Sequence, residues 1–283
     1  MKTTVAAIIV LYRSGSTDRL VEELAAQGVG TIVLIDNGAT EPGEWTFTFA
    51  SCVVRRVAFG QNLGYGLAVN RGLAMIEESM VLVMNPDVTV HAGAVDALVA
   101  TAASSAAVGA VGPKVLDRDG GRYPSFRRFP SLWQSIRHGA IGWLVPESAA
   151  TRSYRMSDLD PSTAVTVPWI SGACLLCPTD VVRGIGGFDP KYHLYLEDVD
   201  LCRRMALAGY QIVYEPLAVV THVGGASSSQ RRLGAVVEHH RSMATYASLE
   251  QRSTLALFAV EMGIGLRCVL SVMRTIITGT VRN

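Results

Sequence analysis

Apolar positions in the first 110 residues follow two alternating patterns. Predominantly apolar runs, typical of buried parallel strands, lie at 5–12, 31–36, 52–59 and 80–85. Between these runs, residues 16–28 and 64–78 carry apolar side chains at helical spacing, and the first of the two segments begins with a Ser/Thr/Asp cap and stops at a glycine. The alternation predicts βαβ units, that is, an α/β fold whose parallel sheet has helices on both faces. Ligands of such sheets bind at the carboxyl ends of the strands.

The pattern changes beyond residue 115. The stretch "DRDGG" (117–121) predicts a hairpin or loop, and short strands are predicted around "YQIVYEP" and "AVVTH", before a Gly/Ser-rich loop. In residues 127–146, aromatic and basic side chains interleave. This segment fits either an amphipathic helix packed on the domain or a contact with a large or lipid-bearing acceptor.

The tail, residues 253–279, is apolar but interrupted by Glu261, Arg267 and Arg274. The two arginines are seven positions apart and share one helix face, and the uncharged runs are shorter than the roughly 18 to 20 residues of a membrane span. The sequence therefore predicts an amphipathic helix that lies on a membrane surface or against a partner helix, as in a homodimer.

Composition narrows the class of protein. The 283 residues are 49% hydrophobic and 17% charged, enough for one large α/β domain or two small ones. A net charge of +1 provides no general attraction for nucleic acid. The five cysteines are odd in number and lie in apolar segments, which is typical of reduced thiols in the cytosol. Cys174 and Cys177 form C-x-x-C in a predicted strand, where they would face opposite ways, so a redox or zinc role is not favoured. The opening "MKTTVAAIIVLY" indicates a first strand, not a signal peptide.

Two predicted strands end in an aspartate. Asp87 follows the fourth strand in "MNPDV", where it could coordinate Mg²⁺ or Mn²⁺ together with ligand phosphates, or only cap the following turn. Asp36 ends the second strand, where a carboxylate can accept hydrogen bonds from a nucleoside. The glycines of "GQNLGYG" lack the dinucleotide spacing, and the chain has no G-x-x-x-x-G-K-[ST]. The two aspartates therefore favour a single nucleotide over a dinucleotide or a P-loop site.

A third acidic cluster is Glu197-Asp198-Val199-Asp200, ahead of a predicted helix. Part of it is explained by the helix dipole and by an (i, i+4) pair of Asp200 with Arg204. Crowded carboxylates also raise one another's pKa, which prepares a general base.

Taken together, the motifs resemble those of glycosyltransferase family 2, which is inverting and has the GT-A fold. The resemblance covers about residues 5–245 and includes "LIDNGAT", "NLGYGLAVNRGL", "MNPDV", "WISGACLL", "GGFDPKYHLYLEDVDLCRRMALAGY" and "VVTHVGGASS". Within the family, the chain is similar to rhamnosyltransferases that use dTDP-rhamnose and act on lipid-linked or polymeric cell-envelope acceptors. The resemblance implies a GT-A domain at 1–250 with a Rossmann-like half at 1–110, an acceptor half at 111–250 and a mixed central sheet. Residues 251–283 are then the amphipathic tail.

The resemblance also implies roles for individual residues. Asp198 is the expected catalytic base, and Asp87 and His222 are the expected ligands of a Mg²⁺ or Mn²⁺ ion. The expected nucleotide-sugar site comprises Tyr12, Arg13, Asp36, Asn62, Gly64, Tyr65, Asn85, Asp87, Arg231 and Arg232. The expected acceptor site comprises Trp169, Ser171, Gly172 and Glu197.

Asn85 replaces the first carboxylate of the family's D-x-D motif, so the expected metal site is less anionic than usual. The expected enzyme is cytoplasmic and bound to the inner face of the membrane, and it gives an α-linkage from a β-linked donor. Two alternatives remain open: an inactive homologue that binds a nucleotide sugar, and a nucleotidyltransferase, for which "YRSGST" approaches a triphosphate loop only faintly.

Overall fold

The computed structural model describes residues 3–130, 149–156, 159, 161–222, 232–250 and 253–280. Its strands are β1 Val5–Leu11, β2 Thr31–Asp36, β3 Pro42–Phe49, β4 Cys52–Phe59, β5 Met80–Met84, β6 Val88–Val90, β7 Val108–Leu116, β8 Phe126–Arg127, β9 Val165–Thr166, β10 Trp169–Ile170, β11 Cys174–Pro178 and β12 Gln211–His222. Its helices are α1 Asp18–Ala26, α2 Tyr65–Leu73, α3 Ala94–Ala103, α4 Ala149–Arg155, α5 Thr179–Gly184, α6 Glu197–Leu207, α7 Arg232–Glu250 and α8 Thr254–Thr280.

One mixed sheet runs through the described fold in the order β3-β4-β2-β1-β5-β11-β7-β12-β6, and β9 pairs with β12. The neighbours β4, β2, β1 and β5 are parallel, as their apolar runs predict. Antiparallel β11 joins β5 to β7 and makes the sheet mixed. The α/β class and the mixed sheet are therefore confirmed, and β8 and β10 form a second, two-stranded sheet.

Sequence analysis missed the edge strand β3. Its residues Trp45, Phe47 and Phe49 alternate with polar ones, the pattern of a half-exposed strand, and Pro42 takes the first position, where an edge strand tolerates proline. The prediction of a helix at 64–78 was too long, because α2 ends at Leu73.

The two short strands predicted around "YQIVYEP" and "AVVTH" were wrong as separate elements, because they form the single strand β12. Its pairing with β7 shifts register between Glu215 and Val219, next to Pro216, which has no backbone N–H to pair. Buried Glu215 accepts hydrogen bonds from Leu217 N and Thr101 Oγ1 at 2.9 and 2.6 Å. The irregular backbone is thus satisfied by side chains.

Both faces of the sheet are buried. Cys174 belongs to the apolar cluster that packs against α1 and α3, and Cys177 belongs to the cluster that packs against α2, α5 and α6. The two thiols therefore face opposite ways, as strand alternation predicts. Burial raises the pKa of both thiols, that of Cys174 to about 12, which makes thiolate chemistry unfavourable at neutral pH.

The C-terminal helix α8 packs along α7 and keeps its apolar side chains largely exposed. Residues Thr254–Ile277 have a mean hydropathy of 1.9, and only 6% of them are buried. The helix is long and apolar enough to cross a membrane, which the short uncharged runs of the sequence did not indicate. Of the segment 127–146, residues 131–146 lie outside the described residues.

Candidate active site

A cavity of about 560 Å³ brings together side chains from both predicted halves of the chain. It is lined by eight of the predicted site residues: Tyr65, Asn85, Trp169, Ser171, Gly172, Glu197, Asp198 and His222. Sequence analysis placed these residues in separate motifs, and the sheet order makes them neighbours. The cavity therefore combines candidate donor-side and acceptor-side residues.

The acidic pair Glu197 and Asp198 opens helix α6. The two residues before it, Tyr195 and Leu196, have left-handed backbone angles, with φ of 69° and 62°. Non-glycine residues pay a conformational cost there, of the kind found at functional sites. The sharp turn places both carboxyl groups on the cavity wall.

The two carboxyl groups have different surroundings. Asp198 Oδ2 accepts a hydrogen bond from Gly172 N and Oδ1 accepts one from Val199 N, both at 2.8 Å. In the described part of the chain, Glu197 Oε2 has no hydrogen-bond partner. Burial, and secondarily the charge of Asp198, raise the pKa of Glu197 to about 8.

Burial also raises the pKa of Asp198, but the two backbone N–H donors and the charge of Arg127 oppose that rise. Burial thus raises the pKa of both carboxyl groups, and the two backbone N–H donors make Asp198 the more readily ionised member of the pair. Asp200 is separate from this pair, because it is fully buried and bonded to Arg204 Nε at 2.7 Å, as predicted.

Asn85, Asp87 and His222 form a polar cluster at the edge of the cavity. Strand β12 pairs antiparallel with β6 so that His222 lies opposite Val88, which places the imidazole beside Asp87. His222 Nε2 is 3.1 Å from Asp87 Oδ1 and 3.4 Å from Asn85 Nδ2. Within the described residues, no three His, Cys, Asp or Glu side chains converge on a common point, so a cation here would need ligand oxygens or water as well.

The candidate nucleoside residues lie at the carboxyl ends of β1 and β2, outside the cavity lining. Asp36 Oδ2 pairs with Arg56 at 2.6 Å, and Oδ1 accepts hydrogen bonds from Gly38 N and Ala39 N at 2.9 and 3.1 Å. The Arg13 guanidinium lies 5.7 Å from the centre of the Tyr12 ring. In the described structure, the carboxylate of Asp36 is thus already bound to the Arg56 guanidinium and to two backbone N–H groups of the following turn.

Asn37 joins this region to the loop before α2. Its Nδ2 donates to Gly64 O at 2.9 Å, and its Oδ1 accepts from Leu63 N at 3.3 Å. Gly64 has φ +80° and lies so close to His193 O that a Cβ atom would clash. Asn62 caps this turn, since its Oδ1 accepts from Gly64 N at 2.9 Å. The glycine is therefore required by backbone geometry.

The loop before α2 also reaches the acceptor side of the cavity. The Tyr65 hydroxyl donates to Gly172 O at 3.0 Å, so Tyr65 contacts the loop that holds Asp198. Trp169 is buried, and its Nε1 donates to Arg128 O at 2.7 Å.

Sequence analysis did not assign the arginine and histidine side chains of the cavity wall to the site. Arg127, Arg155, His239 and Arg267 line the cavity, and they come from β8, α4, α7 and α8. No local motif marks them, because they converge only through tertiary packing. Of the two arginines predicted to close over a diphosphate, Arg231 lies outside the described residues, and so does the side chain of Arg232.

Comparisons with known proteins agree with this geometry. A family model described as glycosyltransferase like family 2 matches residues 48–244. N-acetylglucosaminyl-diphospho-decaprenol L-rhamnosyltransferase of Mycobacterium tuberculosis is 38% identical over 240 residues, which make up 81% of this chain and 77% of that protein.

Among solved structures, GalNAc-T7 with UDP, GalNAc and Mn²⁺ matches with a TM-score of 0.56 at 13% identity, over 78% of this chain and 44% of that chain. Mannosyltransferase PcManGT from Pyrobaculum calidifontis, in complex with GDP-Man and Mn²⁺, matches with a TM-score of 0.52 at 12% identity, over 100% of this chain and 76% of that chain. These matches confirm the predicted GT-A fold. The chain therefore belongs to glycosyltransferase family 2 and is a glycosyltransferase.

Proposed function

We propose that this enzyme transfers L-rhamnose from dTDP-rhamnose onto a hydroxyl of a lipid-linked acceptor that carries N-acetylglucosamine on a polyprenyl diphosphate. The identity to the mycobacterial rhamnosyltransferase, over most of both chains, supports this donor and acceptor. The observation that carries the proposal is the position of Asp198, whose carboxyl group is held by two backbone N–H groups in the same cavity as Asn85 and His222.

Asp198 is the proposed general base. An acceptor hydroxyl becomes an effective nucleophile when a carboxylate within hydrogen-bond reach takes its proton in the transition state. Glu197 keeps its own proton at neutral pH and can donate or accept a hydrogen bond to the acceptor sugar. Trp169, Ser171 and Gly172 complete the proposed acceptor side. Attack from the face opposite the leaving group inverts the configuration and gives an α-linkage from a β-linked donor.

The proposed donor site joins the end of β5 to the ends of β1 and β2. Asp36, Tyr12 and Arg13 would bind the nucleoside, with Asn62, Gly64 and Tyr65 beneath it and Arg231 and Arg232 near the diphosphate. Binding would require Asp36 to share its carboxylate between Arg56 and the nucleoside.

The residues near Asp87 fit a divalent cation. A carboxylate oxygen and an imidazole nitrogen lie 3.1 Å apart, with Asn85 beside them, and a Mg²⁺ or Mn²⁺ ion would complete its shell with diphosphate oxygens and water. Such an ion would offset the negative charge that gathers on the departing nucleoside diphosphate. Asp87 and His222 are the residues that would hold it.

The proposed location is the cytoplasmic face of a membrane, with α8 lying in the interface. Arg267 is near the middle of α8 and lines the cavity. If α8 crossed the bilayer, the cavity would lie at mid-membrane depth, away from a water-soluble nucleotide sugar. A helix parallel to the surface buries the exposed apolar side chains and lets Arg267 and Arg274 meet anionic head groups. The competing occupant of this face is a second subunit.

A donor panel tests the proposed function. The enzyme is incubated with dTDP- and UDP-sugars, with Mg²⁺ or Mn²⁺, and with and without a polyprenyl-diphosphate N-acetylglucosamine acceptor, and nucleoside diphosphate release is measured. We expect acceptor-dependent release from dTDP-rhamnose, and a much slower release with the Asp198→Asn variant. Preference for another donor would overturn the rhamnosyl assignment, and binding without turnover of any donor would support the inactive homologue.

A further inference from the structure

Three arginines line the cavity from three separate elements: Arg127 on β8, Arg155 on α4 and Arg267 on α8. Among the residues that the structure describes, no carboxylate lies within ion-pair distance of any of them. We refer to these three residues as the arginine cluster. A cavity wall with several cations and no anionic partner is suited to an anionic ligand.

Within this cluster, Arg127 contacts Trp169 and influences the pKa of two other cavity residues. Its guanidinium lies 5.4 Å from the centre of the Trp169 ring, and its charge favours the ionised form of Asp198. Together with Arg267 it also disfavours protonation of His239, whose pKa is lowered by burial first and by neighbouring cations second. Arg127 therefore lies on the acceptor side of the cavity, in contact with Trp169, and shares the cavity with Arg267.

These residues match the chemistry of a lipid-linked acceptor. Asp198, Arg127 and Arg267 line the same cavity, and Arg267 lies on the helix whose apolar side chains are exposed. Along the acceptor, the reacting hydroxyl is followed by the sugar, the diphosphate and the lipid. Arginine forks pair with phosphate oxygens in two-point contacts, and a diphosphate offers enough oxygens for several arginines.

We propose that the arginine cluster binds the diphosphate of the acceptor. This inference rests on the proposed function, since only a diphosphate-linked acceptor supplies this anion at the level of the membrane surface. The donor's diphosphate has its own candidate site, where Asp87 and His222 would hold a divalent cation. The arginine cluster would thus select an acceptor with a diphosphate over a simple glycoside of the same sugar.

The test compares two soluble acceptors: N-acetylglucosamine on a short-chain prenyl diphosphate, and the octyl β-glycoside of N-acetylglucosamine, which has no diphosphate. KM for each is measured with wild type, Arg127→Ala, Arg155→Ala and Arg267→Ala. We expect Arg127→Ala and Arg267→Ala to raise KM for the diphosphate acceptor on the order of ten- to a hundredfold, as loss of a charge-assisted contact does. KM for the octyl glycoside and for the donor should change little.

Arg274→Ala is the matched control, because it removes the same charge from α8 about 10 Å further along the helix and outside the cavity lining. It should keep the wild-type ratio of the two acceptor KM values. Equal effects of Arg267→Ala on both acceptors, or an effect on vesicle binding alone, would overturn the proposal.

The failure of the proposed function has a different signature. If the wild type turns over another donor, the same acceptor comparison is made with that donor. If it transfers no sugar at all, calorimetric titration with the prenyl-diphosphate sugar still measures the affinity of the arginine cluster for this acceptor. Tight binding by wild type that the Arg127→Ala and Arg267→Ala variants lose supports the site, and equal affinity in all variants refutes it.

Discussion

The acidic side chains in two regions of the molecule have different partners. One region is the ends of β1 and β2, and the other is the cavity around α6. At the ends of β1 and β2, Asp36 has a cation and two backbone N–H donors as partners. In the cavity, Glu197 has a raised pKa and a carboxyl oxygen without a partner among the described residues, after two residues with left-handed backbone. Strain and perturbed pKa values mark sites of chemistry, so the first region is suited to holding a ligand and the second to transforming one.

The largest effect that this contrast predicts is at Asp198. Asp198→Asn keeps the size of the side chain and its acceptor oxygen for Gly172 N, but removes its ability to take a proton. We expect kcat to fall on the order of 10²- to 10⁴-fold with the donor KM nearly unchanged. Steady-state kinetics with varied donor and acceptor provide the measurement.

Asp200→Asn is the matched control, two residues along α6. Because Asp200 is buried and paired with Arg204, its loss should destabilise the fold by roughly 3 kcal/mol, with kcat retained in the folded fraction. If the two variants exchanged these effects, the base would be Asp200.

The next largest effect is at Asp87, which belongs to the reacting end of the donor site. Asp87→Ala should lower transfer on the order of 10²- to 10³-fold and remove the tightening of nucleotide binding by Mg²⁺ or Mn²⁺. The melting temperature should stay close to that of wild type, because Asp87 is partly exposed and lies outside the apolar core. Nucleotide titrations with and without the cation, together with activity, check this expectation; wild-type activity in the variant would refute the metal assignment.

The sequence predicted the region at the ends of β1 and β2 better than the cavity around α6. Strands β2 and β4 have the predicted bounds because their apolar residues end at polar turns; β2 is buried on both faces, whereas Val53 and Arg56 of β4 are exposed. Motifs singled out Asp36 at the end of β2, Asp87 just before β6 and Asp198 in the first turn of α6, and the roles of these residues stay predictions. The arginine cluster was missed because its members converge only through packing between distant segments. The division into halves at residue 110 stays a prediction, because a single sheet runs through both.

A smaller effect is expected on the exposed face of α8. Phe258 and Met262 are each 60% exposed, so the double substitution Phe258→Glu and Met262→Glu should leave the fold and the cavity intact. Binding to anionic liposomes should weaken on the order of ten- to a hundredfold, because two apolar side chains leave the interface. The control is the double substitution of both residues by Leu, which retains the apolar face. A dimer that falls to a monomer, with liposome binding intact, would instead identify a subunit interface.

Substitution of Asp36 should weaken binding of the donor without slowing the chemical step. Asp36→Ala is expected to raise the donor KM about tenfold with kcat unchanged, the signature of lost uniform binding. Arg56→Ala removes the same ion pair from the other side and should leave the donor KM near the wild-type value, with at most about 1 kcal/mol of stability lost. If both variants show only this small stability loss, Asp36 is a structural residue.

The smallest effect concerns stability and pH. The pKa of Glu197 rises from an ordinary 4.5 to about 8 on folding, so between these values the unfolded chain releases a proton that the folded protein keeps. Raising the pH therefore favours the unfolded state, and the full cost is present above about pH 8. Glu197→Gln has no proton to release, so its melting temperature should equal that of wild type near pH 5 and exceed it by roughly 6 to 10 °C at pH 8.5. Glu22→Gln, which removes an exposed acid from α1, should show no such divergence.

The contradicting outcome is a pair of parallel curves of melting temperature against pH for wild type and Glu197→Gln. Such a result would mean that Glu197 is ionised in the folded protein. The proton of the pair would then have to be placed on Asp198.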